Sequence, residues 1–319
     1  MQVNKILVTC FDNVGDLVFV SSVIANLSHE FPKAEIHLWC KEYTSQIAPM
    51  IPGVHKIYSC DPFWDKSPLM PKGSFRKFIA NWWRIRREGF DLAIVTGACW
   101  RSALFVKLAG IKTRIGYDKK KVKLFLSHTV PMFQRNKPVV NELLRLLNPL
   151  KIPIGQTYYK LNGPSIPLAQ QPKTAFVALH PFSGNPKRCA TLDFWHQIAS
   201  YIKSKGIGVI WVGADKELKN LKERFSYGDD EFITAYVDEN NLSAVASLAF
   251  HGKAFIGHDS GPLHVSGAMG VKTLGFYLPS EYERTFPQGP NKSPWIKKDR
   301  PADLGIEEVS QAIDQLLKI

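Results

Sequence analysis

A chain of 319 residues, 45% hydrophobic and 22% charged, has the make-up of a folded globular protein with enough apolar material for two cores. Those proportions exclude a disordered, collagenous or disulfide-framework protein. The formal net charge of +13 resides in one half: residues 1–160 hold 24 Lys and Arg against 11 Asp and Glu, while residues 161–319 hold 17 of each. Such one-sided charge points to an anionic partner for the N-terminal half. Cys10, Cys40, Cys60, Cys99 and Cys189 are scattered without a CxxC pair, which fits reduced thiols in a cytoplasmic protein and offers no zinc-ligand spacing. The N-terminus has neither the basic n-region nor the cleavage site of a signal peptide, and no apolar run approaches the ~20 residues of a membrane span.

In chain order, residues 5–10 form a β-branched run that reads as a buried parallel strand, and 11–15 a turn. Residues 16–31 read as a helix, with Leu17, Val20, Ile24 and Leu27 at helical spacing. Strands are predicted again at 35–40, 54–58, 91–96 and 114–116, with helices at 75–88, 102–109 and 139–147. A loose, proline-rich stretch from Pro153 through Pro164, Pro167 and Pro172 reads as a linker. The pattern then restarts, with strands at 175–180, 208–213, 254–257 and 273–276. Helices are predicted at 192–205, 216–225, 242–250, 261–269 and 306–317. Strands alternating with helices mean stacked βαβ units, hence an α/β protein of two doubly wound parallel-sheet domains in tandem.

Four segments could carry chemistry. Asp12, Asn13, Gly15 and Asp16 close the first strand and open the first helix, where ligands of doubly wound sheets bind; the same residues would also serve simply as a helix cap. No GxGxxG dinucleotide fingerprint is present. Ser183, Gly184, Asn185, Lys187 and Arg188 form a small, polar, cationic loop built like a phosphate cradle, or else a solvated turn. Residues 255–264 run from a strand through Asp259 and Ser260 to a helix start at Gly261 and Pro262, with His264 one turn on; amides there suit a diphosphate. The resemblance of that run to a serine-protease nucleophile motif does not fit a parallel α/β chain. Finally, Phe75, Phe78, Ile79, Trp82 and Ile85 make one helical stripe edged by Arg76, Lys77, Arg84, Arg86 and Arg87. It reads as a packed helix with a basic rim, or as a contact for a membrane surface or anionic acceptor.

Together these segments resemble glycosyltransferase family 9, the ADP-heptose:lipopolysaccharide heptosyltransferases of GT-B fold. The similarity is carried by Gly15 and Asp16; by Arg101 and Ser102 with residues 108–111 and 114–117; by His180, Pro181 and Lys187; by Leu242; and by residues 259–264. The chain departs from the family pattern in two places. Lys187 is followed by Arg188, Cys189 and Ala190 rather than by a Trp-Pro, and residues 276–280 lack the usual Gly-Pro.

The resemblance implies two Rossmann-type domains facing a central cleft, 1–160 for the acceptor and 161–319 for the donor, with the last helix packing back on the first domain. It implies inverting, metal-independent transfer of heptose from ADP-L-glycero-D-manno-heptose, with no cofactor beyond that co-substrate, to the anionic inner core of lipopolysaccharide. Asp16 would be the general base. Ser183, Gly184, Lys187, Gly213, Asp259, Ser260, Gly261, Pro262 and His264 would hold the donor. Asn13, Arg101, Arg114, Lys119 and Lys120 would meet the acceptor, in a cytoplasmic protein with peripheral contact to the inner membrane and no nucleic-acid partner. Competing readings are a GT-B transferase using another nucleotide sugar, a nucleotide-sugar epimerase, and a non-catalytic basic protein that binds membrane or polyanion.

Overall fold

The computed structural model describes residues 2–65, 73–163, 175–225, 242–280 and 282–318. Two compact units divide the chain, Met1–Lys160 and Leu161–Ile319.

In the first unit, the strands β1 (Lys5–Cys10), β2 (Glu35–Cys40), β3 (Val54–Ser59), β4 (Leu92–Val95), β5 (Thr113–Asp118) and β6 (His128–Pro131) form one parallel sheet. Their order is β3-β2-β1-β4-β5-β6, the Rossmann arrangement, with its reversal point between β1 and β4. Helices α2 (Phe75–Glu88) and α3 (Trp100–Leu108) cover the face made by Leu7, Trp39, Ala93 and Val95. Helix α1 (Val14–Glu30), apolar on most sides, packs on α4 (Val139–Leu144).

The stretch after Pro153 is less loose than its prolines suggest. Buried Asn26 of α1 accepts from the Gly155 and Gln156 amides at 2.8 and 3.1 Å, Ser21 Oγ accepts from Lys160 N at 3.0 Å, and Phe19 packs on Tyr159. Pro164, Pro167 and Pro172 lie outside the described residues.

The second unit holds β7 (Phe176–His180), β8 (Gly208–Trp211), β9 (Ala254–His258), β10 (Thr273–Tyr277) and β11 (Trp295–Lys297). Among the described residues the parallel order is β11-β10-β9-β7-β8, so the sheet reverses between β7 and β9. Alternation along the strands feeds two cores. Val177, Leu179, Ile256 and Phe276 pack under α5 (Leu192–Ser204), α6 (Asp215–Phe225) and α9 (Ile306–Leu317). Ala178, Phe255 and Tyr277 pack under α7 (Leu242–His251) and α8 (Gly261–Ala268). The final helix buries Val309, Ile313 and Leu316 in the core of the second unit, where Asp314 accepts from Tyr201 of α5 at 2.7 Å.

The expected fold class, two parallel-sheet α/β domains, is what the chain adopts. β6 and β11 are the additions. Both are short edge strands whose outward residues are polar or exposed, so they lack the apolar run that marks the inner strands.

Candidate active site

In open parallel sheets, function gathers at the carboxyl ends of the strands beside the reversal point. In the first unit that position is the β1–α1 turn. Asp16, in the first turn of α1, accepts from Asn13 N through Oδ2 at 3.0 Å, and Asn13 Oδ1 accepts from the Tyr43 hydroxyl at 3.0 Å. Asp16 thus closes a capping box at the start of its own helix and holds Asn13, as the helix-cap reading of the sequence expects. Burial, together with the charges of Asp16 and Asp12, pushes the Tyr43 hydroxyl well above its ordinary range and keeps it a donor. Across the reversal point, a Cβ on Gly97 would come within 3.1 Å of Asp12 Oδ2, so the turn after β4 closes against this loop.

Arg101, in the first turn of α3, and Lys119 and Lys120, just past β5, lie at the same carboxyl edge. Arg114 does not join them. It sits at the amino end of β5, where its guanidinium donates to the carbonyls of Ile111, Lys112 and Phe125, and burial lowers its pKa. It is a strut holding the loops on either side of β5.

In the second unit the reversal point brings together the loops after β7 and β9. Ser183, Gly184 and Lys187 follow β7, and Asn185 caps the turn Pro186–Arg188 by accepting from Lys187 N at 3.1 Å. Lys187 is exposed on that turn, with Gly184 open around its backbone. Gly213, beyond β8, abuts the same loop: a Cβ there would lie 2.5 Å from the Phe182 ring. Only glycine lets that ring settle over the β8 turn.

After β9, Ser260 stands at the N-cap position of α8 with its Oγ 3.4 Å from His180 Nδ1, and Pro262 lies in the first turn. Asp259 accepts from His264 Nε2 at 3.1 Å and from Thr285 Oγ1 at 3.2 Å, and Arg188 stands 3.8 Å away. Burial alone would push this carboxyl up; the bond from His264, the one from Thr285 and the nearby guanidinium hold it below its ordinary value. It is a fixed carboxylate.

Two further groups, His180 and His258, close the floor of this edge and were not assigned a role from sequence. His258 Nε2 accepts from both Ala190 N and Trp195 Nε1 at 3.2 Å, so its proton must sit on Nδ1, which is buried without a partner among the described residues. Burial, reinforced by His180, drives the His258 pKa down to about 3, and burial takes His180 to about 4. Both imidazoles are neutral supports, not acids. Arg188 and Thr285 were also missed as partners of Asp259. Arg188 was visible as a cation in the loop, but its half-burial beside a carboxylate 71 positions on was not. Nothing in the local sequence marks Thr285.

The geometry therefore yields two sets, one on each unit. The first has a helix-start carboxylate at a sheet edge that also carries Arg101, Lys119 and Lys120. The second has a helix N-terminus, two cations and a clamped carboxylate, suited to an anionic leaving group attached to a polyhydroxylated group.

Comparison with known proteins places the chain in a family. The pattern of Glycosyltransferase family 9 (heptosyltransferase) matches residues 79–309, well over half of the chain. The lipooligosaccharide heptosyltransferase 2 of Haemophilus ducreyi is 22% identical over 289 residues, covering 83% of this chain and 80% of its own. Among solved structures, the ADP-heptose lps heptosyltransferase II of E. coli superposes with a TM-score of 0.81 at 18% identity, over 98% of both chains. The E. coli heptosyltransferase WaaC with ADP gives 0.82 at 13% identity, over 98% of this chain and 99% of that one.

Proposed function

This chain belongs to glycosyltransferase family 9, the heptosyltransferases, and from that premise we propose that it transfers heptose from ADP-L-glycero-D-manno-heptose to the phosphorylated inner core of lipopolysaccharide. The observation that carries the donor half is the edge after β7 and β9, where Arg188 stands 3.8 Å from the clamped Asp259 just before α8 and Lys187 is exposed on the same short turn as Arg188. An ADP leaving group is anionic, and cations with helix-start amides favour it most as the glycosidic bond breaks.

In this reading an acceptor hydroxyl oxygen bonds to the anomeric carbon from the face opposite the diphosphate, so configuration inverts. The bond to the phosphate oxygen breaks with its electron pair staying on ADP. The hydroxyl proton passes to Asp16. A carboxylate at a helix start is a modest base. Proton transfer is therefore late, after the sugar–phosphate bond has lengthened and the hydroxyl has become acidic. Asp259 would hold sugar hydroxyls, Ser183, Gly184, Ser260, Gly261 and Pro262 the diphosphate, and Gly213 the side toward the nucleoside. His264 would act by fixing Asp259.

Asn13, Arg101, Lys119 and Lys120 would meet the acceptor phosphates, with Arg114 holding the loops behind them. The reaction needs no metal in this scheme, because Lys187 and Arg188 supply the positive charge that the diphosphate requires. The protein would work in the cytoplasm, as a peripheral protein at the inner membrane.

The experiment is a calorimetric panel of ADP, UDP and GDP, with and without chelator. Selective ADP binding that ignores the chelator is the expected result. A preference for UDP or GDP would retain the transferase and overturn the donor, and chelator-sensitive binding would overturn the metal-free scheme.

A further inference from the structure

The basic helix noted in the sequence is not used by either half of the proposed site. Residues 73–125 carry thirteen Lys and Arg against three Asp and Glu; setting aside Arg101, Arg114, Lys119 and Lys120, which the acceptor reading already uses, nine cations remain against those three acids. Two of the three acids are turned inward: Glu88 is bound by Lys5 at 2.7 Å and Tyr58 at 2.8 Å, and Asp91 accepts from the Asn4 and Lys5 amides. The segment's outer side is therefore almost purely cationic.

It is also apolar in a particular way. Trp83 and Phe75 on α2, Leu108 at the end of α3 and Leu124 in the turn Lys123–Phe125 are 49%, 57%, 47% and 65% exposed. Four large apolar side chains left in water are unusual beside cores as complete as those of this unit.

Phe75 begins the helix that carries Trp83, and Trp83, Leu108 and Leu124 sit on elements that contact one another. Trp83 lies against Trp82 at 5.1 Å, and Trp82 Nε1 donates to Phe105 O of α3 at 2.9 Å. Arg86 of α2 donates to Leu108 O. Lys107 of α3 stands over the Phe125 ring at 5.8 Å, and Trp100 packs on the same ring. From α2 through α3 to the turn Lys123–Phe125, the chain thus presents aromatic and leucine side chains among Lys and Arg.

We propose that this surface seats the protein on an anionic lipid bilayer, with Trp83, Phe75, Leu108 and Leu124 entering the headgroup region and the cations facing lipid phosphates. Charge selects the occupant. A second copy would bring an equally positive face against it, and a soluble polyanion would leave the apolar side chains without a use. A bilayer with anionic headgroups uses both, because its interface takes Trp and Leu while its potential attracts each nearby Lys or Arg. No described helix is long and apolar enough to cross a membrane, so the contact is interfacial. The inference gives a location to the peripheral placement in the reading above, but it does not depend on the donor or the acceptor.

The test is flotation of the full chain with phosphatidylcholine vesicles, with and without phosphatidylglycerol, comparing the parent with the double variant Trp83→Ala/Leu124→Ala. Unchanged ADP titration and an unchanged urea midpoint would show that the variant is folded. The expected result is binding to the anionic vesicles only, weakened by salt, and about tenfold weaker in the double variant, the effect of two large apolar groups partly withdrawn from lipid. Failure of the parent to float with anionic vesicles would overturn the proposal, whatever nucleotide it binds. Equal flotation of parent and variant would overturn it as well, reducing the surface to a polyanion patch. If ADP is not bound but flotation behaves as expected, the donor assignment fails and this surface stands.

Discussion

Asp259 Oδ1 and His264 Nε2 meet at 3.1 Å across the first turn of α8, with their side chains only 8% and 5% exposed. Proximity in sequence makes the pair cheap to form, and burial makes it costly to break. Leucine in place of His264 would leave the carboxylate with Thr285 and a guanidinium 3.8 Å away. We expect His264→Leu to lower unfolding free energy by about 2–4 kcal/mol near neutral pH. The carboxyl's native pKa is depressed, so the stability it contributes is present above its unfolded value of 3.8 and lost as pH falls below it. The gap between parent and variant should therefore narrow below about pH 4 in urea melts. A gap independent of pH would mean that lost packing, rather than the hydrogen bond to the carboxylate, is responsible.

The neutral imidazoles predict a second pH effect in a different window. In the folded chain His258 titrates at about 3 and His180 at about 4, whereas both take up protons near 6.5 once unfolded. The unfolded state binds more protons between those values, so stability is whole above pH 6.5 and falls as the solution is acidified. Each imidazole should cost roughly 2 kcal/mol by about pH 5. Urea midpoints measured from pH 7 to pH 5 should drop, and His180→Gln should flatten the slope by about 1 kcal/mol per pH unit. An equally steep slope in that variant would show that the loss arises elsewhere.

How much of this was legible beforehand depends on distance along the chain. The inner strands of both sheets and the helices between them follow from β-branched runs and helical spacing, because a strand buried on both faces must be apolar throughout. The three loops at the sheet edges were legible too, since Gly, Ser, Asp and Lys cluster there. Edge strands His128–Pro131 and Trp295–Lys297 were not, because a strand with one unpaired side tolerates proline and polar residues. Arg114 was assigned to the acceptor by its neighbourhood in sequence, yet its guanidinium is spent on three carbonyls at the opposite edge of the sheet. Arg188 and Thr285 meet Asp259 from 71 and 26 residues away, a convergence that only folding reveals.

Gly213 offers a test of how the β8 turn supports the loop after β7. An added Cβ would stand 2.5 Å from Phe182 Cε2 and 2.7 Å from Cδ2, too close for either ring position to persist. Gly213→Ala should destabilise the chain by about 1–3 kcal/mol and weaken ADP binding by tilting residues 182–185. The double variant Gly213→Ala/Phe182→Leu should recover most of that stability, because the smaller side chain leaves room for the methyl. Additive losses in the double-mutant cycle would refute steric origin.

In the proposed scheme Asp16 has two duties, and substitution can separate them. Asparagine keeps an oxygen to accept from Asn13 N, so the capping contact survives and stability should change by less than about 1 kcal/mol. It cannot take a proton. Asp16→Asn should therefore retain ADP affinity, which the proposed scheme assigns to the second unit, while transfer falls by about 10²–10⁴-fold. Asp16→Ala removes both duties and should also lower the urea midpoint, by about 1 kcal/mol, through the lost cap. Comparing the two variants distinguishes a base from a helix cap. If asparagine transfers heptose as fast as the parent, Asp16 is a cap alone, and the proton must leave by another route.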